Sequence, residues 1–131
     1  MDYFREAFGG FAPQSDYDAA LKLGLDSLLA DERIDELLTL LSAVGQLDGV
    51  EGEPGWIIER RTEKRSSSGS WPAGSVFRAY VDPSSYTLKH PEFYCDRPTF
   101  YRYVNSVVTV YAKRHPEERG KVETICKLIA Q

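Results

Sequence analysis

The 131-residue chain sets 16 Lys and Arg against 20 Asp and Glu, a net charge of −4, and is 42% hydrophobic and 12% aromatic. That is one domain's worth of sequence with enough apolar material for a core, so a single globular domain over residues 1–131 is expected, with no need of metal or disulfides to fold. No apolar run approaches the roughly 18 residues of a membrane span, and MDYFREAFGG has no basic-then-apolar leader pattern, so a cytoplasmic location and no membrane partner are expected.

In chain order, Phe4 and Phe8 stand one helical turn apart and Gly9-Gly10 follow, which predicts a short helix in an aromatic arm packed on the core. Ser15 reads as an N-cap, with Asp16 and Asp18 in the first turn of a helix whose apolar stripe is Tyr17, Leu21, Leu25, Leu28 and Leu29. Gly24 weakens that helix by about 1 kcal/mol relative to Ala. Asp31 reads as the cap of a second helix, with a stripe of Ile34, Leu37, Leu38, Leu41 and Val44 and a terminating Gly45. Glu32, Asp35 and Glu36 fall on the opposite face with Thr39 and Ala43, so the pair reads as an αα-hairpin with an acidic outer surface.

GQLDGVEGEPG, residues 45–55, reads as a loop that continues this acidic face. Trp56 to Thr62 and Ser75 to Val81 are β-branched and aromatic and read as strands, separated by the polar stretch Glu63 to Ser70. After a turn at 82–85, Tyr86 to Leu88 reads as a third short strand, and Pro91 and Pro98 leave little room for regular structure between them.

DRPTFYRYVNSVVTVYAKR, residues 96–114, carries the clearest helical pattern. Phe100, Tyr103, Val104, Val107, Val108, Val110 and Tyr111 share one arc, while Arg102, Asn105, Ser106, Thr109 and Lys113 gather opposite. The run SVVTV favours a strand, yet strand alternation would mix these two sets, so the helix is preferred. Pro98 suits the first turn, which makes Arg97 the non-helical flanking residue, and the tyrosine hydroxyls should reach the edge of the core. Pro116 opens a last helix with Glu117 and Glu118 in its first turn and Val122, Ile125, Cys126 and Ile129 as its stripe. The fold class is therefore α+β: an N-terminal helical hairpin, a small antiparallel sheet and two C-terminal helices.

No cofactor loop, zinc-protease motif or nucleophile elbow occurs, so no catalytic residue, metal or cofactor is expected. The one enzymatic alternative is a ribonuclease using His90 and His115 as acid and base, but each directly precedes a proline at a predicted boundary. His90, Glu92, Cys95 and Asp96 cluster without a zinc spacing. Cys95 and Cys126 lie beside apolar stretches and read as free thiols in a reducing compartment.

Charge is divided unevenly. Residues 1–55 hold 12 acids and 3 bases, and residues 56–131 hold 8 acids and 13 bases. Arg60, Arg61, Lys64 and Arg65, near Trp56 and Trp71, form the sharpest basic cluster and support the alternative of a small nucleic-acid-binding or regulatory module. An overall pI near 5.2 argues against nucleic acid as the partner. The remaining candidate is the acidic set Glu32, Asp35, Glu36, Asp48, Glu51 and Glu53, read as a docking surface for a basic protein.

In size, charge and lack of catalytic machinery the chain resembles the small immunity proteins that bacteria make against toxins, of the contact-dependent growth inhibition type. That resemblance implies a tight one-to-one complex with a cognate toxin domain, often a nuclease, in which an acidic face takes the place of nucleic-acid phosphates.

Overall fold

In this computed structural model, which describes residues 2–42, 48–61 and 71–130, a four-stranded antiparallel sheet is packed against helices. The described elements are α1 (Phe4–Phe8), α2 (Ala19–Ala30), α3 (Ile34–Leu41), β1 (Gly49–Gly52), β2 (Trp56–Arg60), β3 (Phe77–Val81), β4 (Glu92–Cys95), α4 (Arg97–Arg114) and α5 (Arg119–Ile129), with a 3₁₀ turn over Pro116–Glu118. The sheet runs in the order β1-β2-β3-β4, so the α+β class, the small antiparallel sheet and the C-terminal helices are as the sequence predicts.

Helix α2 is the centre of the molecule. Every residue from Ala19 to Leu25 is buried, Lys22 and Gly24 included. A helix buried nearly all round lies between layers rather than on a surface, and α2 touches all four strands and α4. Gly24 has a reason to be small: a Cβ there would sit 2.9 Å from Ile58 Cδ1 on β2. Its helix-propensity cost is the condition for close helix-on-sheet packing.

The helix begins three residues later than Ser15 suggests, with Asp18 in the cap position. The Ser15 and Asp16 N–H groups both donate to the Ala12 carbonyl, and Asp16 Oδ2 accepts the Ala12 N–H at 2.8 Å, which closes a turn instead of starting a helix. Tyr17 therefore leaves the stripe and is 66% exposed. Asp31 is likewise not a cap for α3 but the residue that ends α2. Glu32, at φ 55°, follows in the left-handed region, and the Glu32 and Arg33 N–H groups donate to the Leu29 and Leu28 carbonyls in the manner of a Schellman closure. In α3 it is Leu40 rather than Leu38 that is fully buried with Ile34 and Leu37, and Ala43, Val44 and Gly45 lie outside the described residues.

Two strands correct the sequence reading. The stretch read as an acidic loop contains β1, which pairs with β2 from Gly49↔Glu59 to Gly52↔Trp56. The stretch between the prolines contains β4, whose ladder is extended by Val76 N–H to Cys95 C=O at one end and Val81 N–H to Pro91 C=O at the other. Tyr86 to Leu88 forms no strand, because its backbone is engaged elsewhere: Tyr86 N–H bonds to Asp82 C=O, and Gln14 Nε2 donates to Thr87 C=O. Thr62 and residues 63–70 lie outside the described residues.

Alternation along the strands separates two faces. Val50, Trp56, Ile58, Phe77, Ala79, Val81 and Cys95 are buried toward the helices, where Phe77 stacks on Phe100 of α4 at 3.8 Å. Glu51, Ile57, Glu59, Arg78, Tyr80, Glu92 and Tyr94 occupy the alternate positions, facing away.

Helix α4 forms as its pattern predicts, with Phe100, Val104, Val107, Val108, Val110 and Tyr111 buried and Arg102, Asn105 and Thr109 exposed. Asp96, not Arg97, is the flanking residue: its backbone is extended and its carboxylate accepts the Thr99 N–H at 2.9 Å. The tyrosines divide. Tyr103 reaches Asp18 with its hydroxyl, whereas the Tyr111 hydroxyl is buried with no hydrogen-bond partner among the described residues, contrary to the expectation that it meets the edge.

Candidate functional site: an acidic cleft at the β1–β2 turn

The structure divides the six predicted site acids into two groups by what they touch. Asp35 on α3 pairs with Lys121 Nζ of α5 at 3.2 Å, and Lys121 also holds Glu118 at 3.1 Å. Glu36 receives two hydrogen bonds from Arg33, at 2.5 and 2.8 Å, and these bonds hold its carboxyl below the usual range. Glu32, one turn away, lies 3.7 Å from His115 Nδ1. Two of the acids expected on the α3 face, Asp35 and Glu36, are therefore ion-paired within the chain while remaining accessible to solvent.

Asp48 is half-buried at the far end of β1 from the turn, and its carbonyl accepts the Arg60 N–H at 2.7 Å. Glu51 and Glu53 are different. Both are exposed and neither has an ion pair among the described residues.

Glu51 and Glu53 line a cleft of about 390 Å³ together with Gly52, Gly55, Trp56, Ile57, Tyr80 and Asp82. None of these lining residues is Lys, Arg or His. Strand register places the groups: Glu51, Ile57 and Tyr80 are direct neighbours across β1, β2 and β3, so the half-buried Ile57 forms a floor between a carboxylate and a ring. Asp82 follows β3 and accepts the Ser84 N–H and hydroxyl, bonds that hold its carboxyl below the usual range and keep it charged. Gly55, at φ 117°, brings the turn against Ser85, where a Cβ would lie 2.8 Å from Oγ.

Sequence reasoning missed Asp82, Tyr80 and Ile57 as members of this site. Asp82 reads as an ordinary turn residue. Only the β1–β2–β3 register brings it beside Glu51 and Glu53.

The other candidates do not assemble. Arg60 Nη1 donates to the carbonyls of Leu40 and Ser42, at 3.0 and 2.9 Å, and so closes the C-terminus of α3 instead of presenting charge. Arg61 is exposed, and Lys64 and Arg65 lie outside the described residues. His90 is exposed before β4, while His115 stacks on Tyr111 at 4.4 Å with Glu117 3.3 Å from its Nδ1. No hydrogen bond or ion pair joins the two histidines. Among the described residues no three His, Cys, Asp or Glu side chains converge in a way that could hold a metal ion. Cys95 and Cys126 are free, and burial pushes the Cys95 thiol up to about 12, so it stays protonated. Among the described residues no helix is long and apolar enough to cross a membrane.

Comparison of the chain with protein-family models, with curated proteins and with solved structures gives no match.

Proposed function

We propose that this chain is an immunity or inhibitor protein that neutralises a basic protein toxin, such as a nuclease domain, by tight one-to-one binding through its acidic surface. The single observation that carries the reading is the cleft at the β1–β2 turn, where Glu51, Glu53 and Asp82 surround apolar floor with no cation among the lining residues. Acids already paired within the chain have less to offer a partner, whereas carboxylates with no ion pair among the described residues, beside an apolar floor, supply both steering charge and contact area. Glu51, Glu53 and Asp82 carry the proposed interface; Glu32, Asp35, Glu36 and Asp48 contribute long-range charge and not contact.

The test is calorimetric titration of the chain against the basic C-terminal domain of a large secreted protein encoded in an adjacent reading frame. A one-to-one complex that weakens steeply as salt rises from about 50 to 500 mM is the expected result. No heat of binding at the lower salt overturns the reading.

A further inference from the structure

We infer that the cleft is a socket for one extended arginine side chain of the basic partner. This rests on the proposed recognition of a basic protein and names the group recognised. Neighbouring strands lie about 4.8 Å apart, so Glu51 and Tyr80 flank Ile57 across a gap of roughly 10 Å on the outward face of the sheet. A guanidinium fits between a carboxylate and a ring at that separation. The three-carbon stem behind it needs apolar surface, which the half-buried Ile57 provides, and Glu53 and Asp82 remain to accept its outer N–H groups.

The same sheet face already seats one arginine in this way. The Arg78 guanidinium lies 4.8 Å from the centre of the Tyr80 ring and donates to Glu59 at 2.5 Å and to Glu92 at 2.7 Å. Ring plus two carboxylates is thus a working arginine site in this chain, and the same Tyr80 ring also borders the cleft on the β1 side, where Glu51, Glu53 and Asp82 stand with no arginine among the lining residues. Arg33 stands behind Gly52, where a Cβ would lie 2.7 Å from its Nη1; its guanidinium lies 5.4 Å from the centre of the Trp56 ring and donates to the Glu51 carbonyl, while its charge is paired with Glu36. Lysine, a compact and strongly hydrated charge, satisfies neither the ring nor a pair of carboxylates as well as a planar fork does.

The test is a nuclear magnetic resonance titration of the full chain with a tetra-arginine amide peptide, with tetra-lysine amide alongside. The expected result is saturable shifts at Gly52, Gly55, Ile57 and the Trp56 indole, stronger for arginine. The double variant Glu51→Gln/Asp82→Asn should weaken binding at least about tenfold, and the control Glu117→Gln/Glu123→Gln less than about twofold. Asparagine at position 82 keeps an acceptor for Ser84, and matching thermal melts verify that both doubles fold. Equal weakening by the two doubles, equal binding of the two peptides, or shifts away from the cleft would overturn the socket. If the basic toxin domain still binds in that case, the socket alone is wrong; if neither it nor the peptide binds, the basic-partner reading falls as well.

Discussion

Arg33 grips Glu36 through two parallel hydrogen bonds, Nε to Oε2 at 2.5 Å and Nη2 to Oε1 at 2.8 Å, while the same Nη2 reaches the Glu51 carbonyl at 2.8 Å. One side chain therefore ties the α3 acids to the edge strand and neutralises part of the acidic surface. Its two effects separate on mutation. Arg33→Ala should lower stability by about 1 kcal/mol, measured by urea unfolding, because a partly exposed ion pair contributes little more than that. It should leave affinity for a basic partner unchanged or tighter. Weaker binding with intact folding would mean that Arg33 itself contacts the partner.

Arg60 is predicted to be structural. Arg60→Ala leaves the last carbonyls of α3 without their donor and should cost about 2 kcal/mol in urea unfolding. A loss below about 0.5 kcal/mol would show that water replaces the guanidinium at no cost.

Tyr111→Phe should not destabilise the protein. The hydroxyl is buried without a partner, burial pushes its pKa up to about 12, and an unsatisfied buried polar group costs about 1–3 kcal/mol. The expected result is a melting temperature equal to or above that of the parent. A drop equivalent to more than about 1 kcal/mol would reveal a hydrogen bond to this hydroxyl.

Asp96 should make stability depend on pH in one direction. Hydrogen bonds from the Thr99 hydroxyl and N–H hold its carboxyl below the ordinary 3.8. A depressed folded-state pKa contributes stability that is fully present above 3.8 and is lost as pH falls through the lower folded value. Asp96→Ala should therefore be less stable than the parent at pH 7, with the gap closing below about pH 3.8. A gap independent of pH would assign the effect to something other than the cap.

The parts of the fold legible in sequence are those whose signals are local. Helix α4 carries its cap, its proline and its apolar arc within one stretch, and it forms where they say. Strand β1 was hidden because GVEG, half glycine, has little strand character of its own, and β4 because Pro91 and Pro98 hem in EFYC despite its strand-favouring Phe93 and Tyr94; pairing with β2 and β3 makes both strands. The late start of α2 was hidden because Asp16 serves a turn with Ala12 where Ser15 looked like the cap. The site divides the same way. Glu51 and Glu53 were legible as unbalanced charge, but Lys121, which pairs with Asp35 from 86 residues along the chain, was not. Neither was Asp82, which joins the cleft only through the register of three strands.

The central claim is that the cleft, rather than the α3 face, meets the partner. Its most direct measurement is calorimetric affinity for the basic toxin domain with Glu51→Lys/Glu53→Lys/Asp82→Lys set against Asp35→Lys/Glu36→Lys, both verified as folded by thermal melts. The account predicts a loss of roughly 100-fold or more for the triple variant and less than about tenfold for the double. A double variant that weakens binding as much as the triple, or a triple that leaves it unchanged, would contradict it.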